Sequence, residues 1–140
     1  MQTTSDLELA SRLRFALARS ARRLRQEAGT GLSPSLTAAL ATVERCGPLT
    51  PSELADAERV RRPTITRVLT RLEEAGLITR TPDPADRRSN LVAITPAGVG
   101  LLAEGRTRKD AFLSERLEGL SPADRATLAR AAGILEDMLE

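Results

Sequence analysis

Apolar residues recur at helical spacing from the start of the chain. Leu9, Leu13, Ala16, Leu17, Ala21, Leu24 and Ala28 share one stripe with Ser20 among them, which predicts an amphipathic helix over residues 6–28 that ends near Gly29. Ser33 and Pro34 supply an N-cap and a first-turn proline for a second helix, striped by Leu36, Leu40 and Val43 and closed by Gly47-Pro48. Thr50, Pro51 and Glu53 spell a capping box with proline at the first helical position, so a third helix follows, with Leu54 and Ala57 facing inward. Pro63 opens a fourth, carrying Ile65, Val68, Leu69 and Leu72 on one face. Gly76 then supplies the left-handed residue that ends a helix and lets Leu77 fold back on Leu72.

The period changes after Gly76. Leu77 to Thr81 reads as a strand, Pro82 to Ser89 as a turn-rich polar loop, and Asn90 to Thr95 as a returning strand. Thr95-Pro96 restarts helix up to about Glu118, with Val99, Leu102, Phe112, Leu113 and Leu117 among its apolar positions and Gly98, Gly100 and Gly105 weakening its first half. Gly119 breaks it. Ser121, Pro122 and Asp124 begin a last helix striped by Leu128, Ala131, Ala132, Leu135, Met138 and Leu139. Two short helices joined by Glu58 to Arg61 form a helix-turn-helix candidate, and the hairpin behind them, with Arg87 and Arg88 near its tip, is a wing. The predicted fold is mainly α with a small β-hairpin wing. No linker or repeat interrupts residues 1–140, so they are expected to form a single domain.

Composition narrows the function. The 140 residues, 41% hydrophobic and 29% charged, suit one globular domain, and with Phe15 and Phe112 as the only aromatics its core must be built mainly from Leu and Ala. The chain has no His, which removes the usual general base, the commonest metal ligand and the usual physiological pH switch. Cys46 is the only cysteine, so neither an intrachain disulfide nor a zinc spacing exists. With no phosphate-binding glycine loop either, an enzyme reading has nothing to stand on, and no metal or cofactor is expected. The opening MQTTSDLELA lacks a basic or apolar leader, and no stretch approaches the roughly 18 apolar residues of a membrane helix. A soluble, cytoplasmic protein with no membrane partner is expected.

Charge is uneven along the chain. Residues 1–58 carry seven Arg against seven acids, residues 59–88 eight Arg against four, and residues 89–140 six bases against eight acids. Arg outnumbers Lys twenty to one overall, so the type of base carries no message and its position carries all of it.

The run Leu72-Glu73-Glu74-Ala75-Gly76-Leu77-Ile78-Thr79-Arg80, then Asp83-Pro84-Ala85-Asp86-Arg87-Arg88-Ser89, ending in Ile94-Thr95-Pro96-Ala97-Gly98, resembles the end of the recognition helix, the wing signature and the return strand of the MarR-type winged-helix transcriptional regulators of bacteria. The resemblance covers essentially the whole chain. It implies a winged helix-turn-helix over about 33–95, flanked by dimerisation helices at about 6–28 and 96–139, in a homodimer that binds double-stranded DNA. Repression is the commoner mode it implies.

The residues support the DNA-binding part independently. With Ile65, Val68, Leu69 and Leu72 buried, Thr64, Thr66, Arg67, Thr70 and Arg71 fall on the flanks and opposite face of the fourth helix. Thr can meet base edges, thymine methyls or phosphates, and Arg can pair bidentately with guanine. Arg61 and Arg62 sit where the helix begins, and backbone amides there also favour phosphate. A solvated polar face is the competing reading. In the wing, Asp86 and Arg88 match the family's aspartate and arginine, and the resemblance implies that the arginine enters the minor groove while the aspartate helps hold it; Arg87 suits a phosphate contact. A plain Asp86–Arg88 surface salt bridge is the alternative there.

The terminal helices carry more apolar stripe than one small wing domain can cover, which a two-fold dimer would bury. Such a dimer would read two halves of a near-palindromic site about one DNA turn apart. The resemblance also implies release by a small aromatic or anionic effector bound between the helical region and the winged domain, although the sequence offers no aromatic cage; Arg14 and other arginines of the first helix could meet an anion. Two alternatives remain. One is oxidation sensing through Cys46, where Arg45 would favour a thiolate, against a buried or incidental thiol. The other is a winged helix that binds only protein, which salt-dependent DNA binding would separate.

Overall fold

The computed structural model describes residues 5–140. Six helices and one hairpin follow in the order α1 (Asp6–Ala28), α2 (Pro34–Cys46), α3 (Pro51–Glu58), α4 (Arg62–Glu74), β1 (Ile78–Pro82), β2 (Asn90–Ile94), α5 (Pro96–Glu118) and α6 (Pro122–Met138). Local chemistry sets the boundaries. Five helices begin at a Ser or Thr whose hydroxyl accepts an amide of the first turn, and α2 to α6 all carry proline in that turn. At α3 the box is reciprocal: the Glu53 amide donates to Thr50 Oγ1 at 3.2 Å and the Thr50 amide to Glu53 Oε1 at 3.3 Å. The turn from α3 to α4 uses Arg59 at φ +55°, a left-handed conformation uncommon outside glycine.

The end of α4 is closed as its sequence predicts. The Gly76 amide donates to the Glu73 carbonyl at 2.9 Å, the Leu77 amide to the Leu72 carbonyl at 3.0 Å, and Gly76 sits at φ +73°. Leu72 and Leu77 are both buried, so the reversal is fixed by apolar burial as well as by two hydrogen bonds. β1 and β2 then pair antiparallel with Ile78 opposite Ile94 and Arg80 opposite Val92. Val92 also exchanges both backbone hydrogen bonds with Leu49, at 2.8 and 3.1 Å. That bridge seats the hairpin on the α2–α3 connection, and no periodicity in the sequence announces a single paired residue.

The core lies within residues 39–102. Its most enclosed large side chains are Leu40, Val43, Leu54, Ile65, Leu69, Leu72, Ile78 and Val92, each contributing about 1.5–3 kcal/mol by burial. Two inward assignments change. Ala57 is exposed and Ala55 is buried in its place, while Val99 faces solvent and Leu102 alone of α5's large residues is buried. Gly98 does more than weaken α5: a Cβ there would stand 2.5 Å from the Leu77 carbonyl oxygen and 2.7 Å from Ile94 Cγ1, so only glycine lets the helix lie this close to the hairpin base.

Outside the first turns of α5, which reach the core through Leu102, the terminal helices stand apart from it. α1 packs along α5, and Arg108 Nη1 donates to the Ala28 carbonyl at 2.9 Å where α1 ends. α6 has no buried residue at all. Leu7, Phe15, Ile134, Met138 and Leu139 are each more than half exposed.

Candidate DNA interface

Helix α4 presents its polar side away from the core as a direct result of the apolar spacing. Ile65, Val68, Leu69 and Leu72 point inward; Thr66, Arg67, Thr70 and Arg71 are exposed, and Thr64 is half-buried at the flank. Thr66 Oγ1 donates to the Arg62 carbonyl at 3.0 Å and Thr70 Oγ1 to the Thr66 carbonyl at 2.8 Å. Both hydroxyl hydrogens are thereby committed to the helix, which turns each threonine outward as an acceptor and a methyl group. Thr64, Arg67 and Arg71 share a shallow groove of about 250 Å³ with Ser33, Ser35 and Leu36 at the start of α2.

The two arginines at the start of α4 differ. Arg61 is its N-cap residue, exposed, and makes no side-chain cap hydrogen bond, so the first amides of α4 lack the hydroxyl partner that every other helix has. Arg62 Nη1 donates to Ser52 Oγ in the first turn of α3, tying the two helices of the helix-turn-helix together. Nothing in the sequence singles out Ser52, because a lone exposed serine carries no pattern.

The wing is a pair of stacked turns. The Asp86 amide donates to the Asp83 carbonyl at 3.2 Å and the Ser89 amide to the Asp86 carbonyl at 3.0 Å, while the Asp83 amide closes the loop on the Ser89 carbonyl at 3.0 Å. Two aspartates stiffen them through their own side chains: Asp83 Oδ1 accepts the Ala85 amide at 2.9 Å and Asp86 Oδ1 the Arg88 amide at 3.0 Å. Among the described residues no ion pair joins Asp86 to Arg88. The carboxylate holds the backbone of the arginine and leaves its guanidinium unspent.

The same holds along the face. Arg61, Arg67, Arg71, Arg87 and Arg88 are exposed and have no side-chain partner among the described residues. Two basic residues here do have partners: Arg62, on Ser52, and Arg80, whose Nη2 donates to Thr70 Oγ1 at 3.4 Å and whose Nε lies 3.5 Å from Glu73 Oε2. Five unpaired guanidiniums on one helix face and one hairpin tip give a surface suited to phosphates and base edges.

Two other features bear on regulation. A cleft of about 100 Å³ lies where α1 and α5 meet α2, floored by Ala28, Leu32, Ala41 and Leu102 and rimmed by Arg25, Arg106 and Lys109. Arg14 does not line it. Both aromatics lie under arginines elsewhere, Phe15 beneath Arg19 at 5.4 Å and Phe112 beneath Arg23 and Arg116 at 5.1 and 4.8 Å. Cys46 ends α2 and is exposed, which removes the buried-thiol reading, and Arg45 beside it donates through Nη2 to Thr42 Oγ1 at 3.5 Å.

Comparison with known proteins places this architecture. The sequence profile of the MarR family matches residues 32–89, the stretch that holds α2, the helix-turn-helix, β1 and the wing loop. An uncharacterized HTH-type transcriptional regulator of Mycobacterium bovis is 38% identical over 132 residues, covering 94% of this chain and 92% of its own. A Pseudomonas aeruginosa protein, named a transcriptional regulator, superposes with a TM-score of 0.87 at 35% identity, over 99% of both chains. The fold also matches a mutant of Staphylococcus aureus MepR bound to an oligodeoxyribonucleotide, at a TM-score of 0.73 and 18% identity over 94% of this chain and 98% of that one. With helices, wing and sequence in agreement over nearly the full length, the chain belongs to the MarR family of winged-helix, DNA-binding transcriptional regulators.

Proposed function

We propose that the protein is a repressor that binds near-palindromic operators as a homodimer and leaves them when a small anionic or aromatic molecule binds. Family membership carries the coarser statement, a DNA-binding regulator rather than an enzyme, and chromosomal DNA places its work in the cytoplasm; no helix among the described residues is long and apolar enough to cross a membrane. The observation that carries the docking is the set of unpaired arginines on α4 and the wing. In this reading Arg67, Arg71, Thr66 and Thr70, with Thr64 at the flank, face the major groove, Arg61 and Arg62 approach phosphate at the start of α4, Arg88 enters the adjacent minor groove with Asp86 holding its backbone, and Arg87 contacts phosphate.

Dimerisation is supported by the apolar side chains left on α1, α5 and α6, where Leu128, Ile134 and Met138 of α6 and Leu139 just after it are 48–69% exposed. A second copy of the same helices would cover them and set two α4 helices in a two-fold relation. For release, the cleft between α1, α5 and α2 is smaller than the ~150 Å³ that a benzene-sized guest fills, so an effector must widen it. Arg106, whose Nη2 lies 2.8 Å from Glu44 Oε1 across the gap between α5 and α2, would exchange that partner for an anion. Moving α2 shifts the helix-turn-helix, and the effector must prefer the shifted state by several kcal/mol to empty the operator. The reading is tested by titrating purified protein against duplex DNA over a range of salt. A dimer whose affinity falls steeply with salt supports it; salt-independent binding, or no retention of any duplex, overturns it and leaves the protein-interaction alternative.

A further inference from the structure

Between α4 and the hairpin, the polar side-chain contacts among the described residues all come from one residue, Arg80, beside the apolar packing of Leu69 and Leu72 with Ile78 and Val92. Arg80 stands on β1 with the buried Ile78, on the face of the hairpin turned toward α4. Its side chain is only 22% exposed, its Nη2 donates to Thr70 Oγ1 at 3.4 Å, and its Nε, shielded from solvent and without a hydrogen-bond acceptor, lies 3.5 Å from Glu73 Oε2. A guanidinium nitrogen shut off from water without an acceptor carries a desolvation cost, and a half-buried strand position beside the core is more cheaply filled by an aliphatic residue. The protein's packing therefore does not explain an arginine here.

We infer that Arg80 is a positioning residue for DNA binding, which sets the angle of the wing against the recognition helix through Thr70 and Glu73 so that Arg67 and Arg88 reach adjacent grooves together. This rests on the docking proposed above. Arg80 is opposite Val92, and Val92 is anchored to Leu49 on its other edge, so the hairpin is held at its base and free at its tip. From Arg80 to the loop beginning at Asp83 is three residues, ~10 Å at strand rise, and a tilt of ~10° at the brace moves the tip by ~2 Å. That exceeds the tolerance of a hydrogen bond to a groove or phosphate. The brace also occupies Glu73, keeping its carboxylate near a cation where it would otherwise face the same phosphates as Arg67.

The test is a double-mutant cycle on a duplex of about 30 base pairs, roughly three turns, selected from a random pool by the wild-type protein. Arg88→Ala is expected to lower affinity about tenfold in the wild-type background and less than about twofold in the Arg80→Ala background, because an unbraced wing has already lost its contact. Arg67→Ala should cost the same in both. The same cycle with Glu73→Gln in place of Arg80→Ala keeps the guanidinium and is expected to shrink the Arg88 effect in the same direction, which covers the case in which Arg80→Ala fails to fold. If the losses at Arg80 and Arg88 simply multiply, Arg80 is a direct phosphate contact or a general stabiliser and the inference is overturned while the docking stands. If neither Arg67→Ala nor Arg88→Ala changes affinity, both are overturned.

Discussion

Asp86 holds Arg88 by its backbone: Asp86 Oδ1 accepts the Arg88 amide at 3.0 Å, and no ion pair between the two side chains exists among the described residues. The carboxylate is thus a turn-former that leaves the guanidinium free. An asparagine offers the same acceptor without the charge. Asp86→Asn is therefore expected to keep DNA affinity within about twofold, while Asp86→Ala, which deletes the acceptor, lowers it about three- to tenfold. Equal losses in both variants, read by fluorescence anisotropy on one duplex, would show that the negative charge matters and the turn does not.

The major-groove and wing contacts are expected to differ in kind. Arg67→Ala should weaken binding by about 1–3 kcal/mol and relax preference at the base it reads, whereas Arg88→Ala should weaken binding with less loss of major-groove discrimination. Competition between the selected duplex and single-base variants separates the two. If both variants retain wild-type affinity, α4 and the wing are not the docking surface.

Two glycines flank Leu77 and predict unequal costs. Gly76 is at φ +73° with open space around a would-be Cβ, so Gly76→Ala costs the left-handed strain alone, about 1 kcal/mol. Gly98→Ala forces a methyl against the Leu77 carbonyl oxygen at 2.5 Å and is expected to cost about 2–3 kcal/mol. Thermal denaturation at equal protein concentration checks the order; a larger loss at Gly76 would contradict the close approach of α5 to the hairpin.

Much of this fold was legible because its punctuation is local. Ser33-Pro34, Thr50-Pro51, Thr95-Pro96 and Ser121-Pro122 mark helix starts within a residue or two, and Gly76-Leu77 marks the end of α4. What escaped is non-local. The Leu49–Val92 bridge, the Ser52–Arg62 contact and the Arg80 brace join residues 7 to 43 positions apart with no periodic signature. In α3 a single helical turn decides between Ala55 and Ala57, and eight residues are too few for periodicity to choose. The arginines of the candidate interface were legible by position; their freedom from partners was not, since pairing depends on which carboxylates the fold brings near.

Cys46 is exposed and is the only thiol in the chain, so any oxidation switch needs a thiol from another molecule. Cys46→Ser is expected to preserve DNA binding and effector release, and peroxide alone should release little DNA from the wild type. Release by peroxide that vanishes in Cys46→Ser would establish the redox alternative in place of a small-molecule effector.

The central claim is that two copies of α4, related by a two-fold axis, read two half-sites while each wing reaches the flanking minor groove. Footprinting of the selected duplex at single-nucleotide resolution tests this most directly. Two protected major-groove segments centred about 10 base pairs apart, flanked by minor-groove protection that disappears in Arg88→Ala, is the predicted result. A single protected segment, or protection spread without register along the duplex, would contradict it.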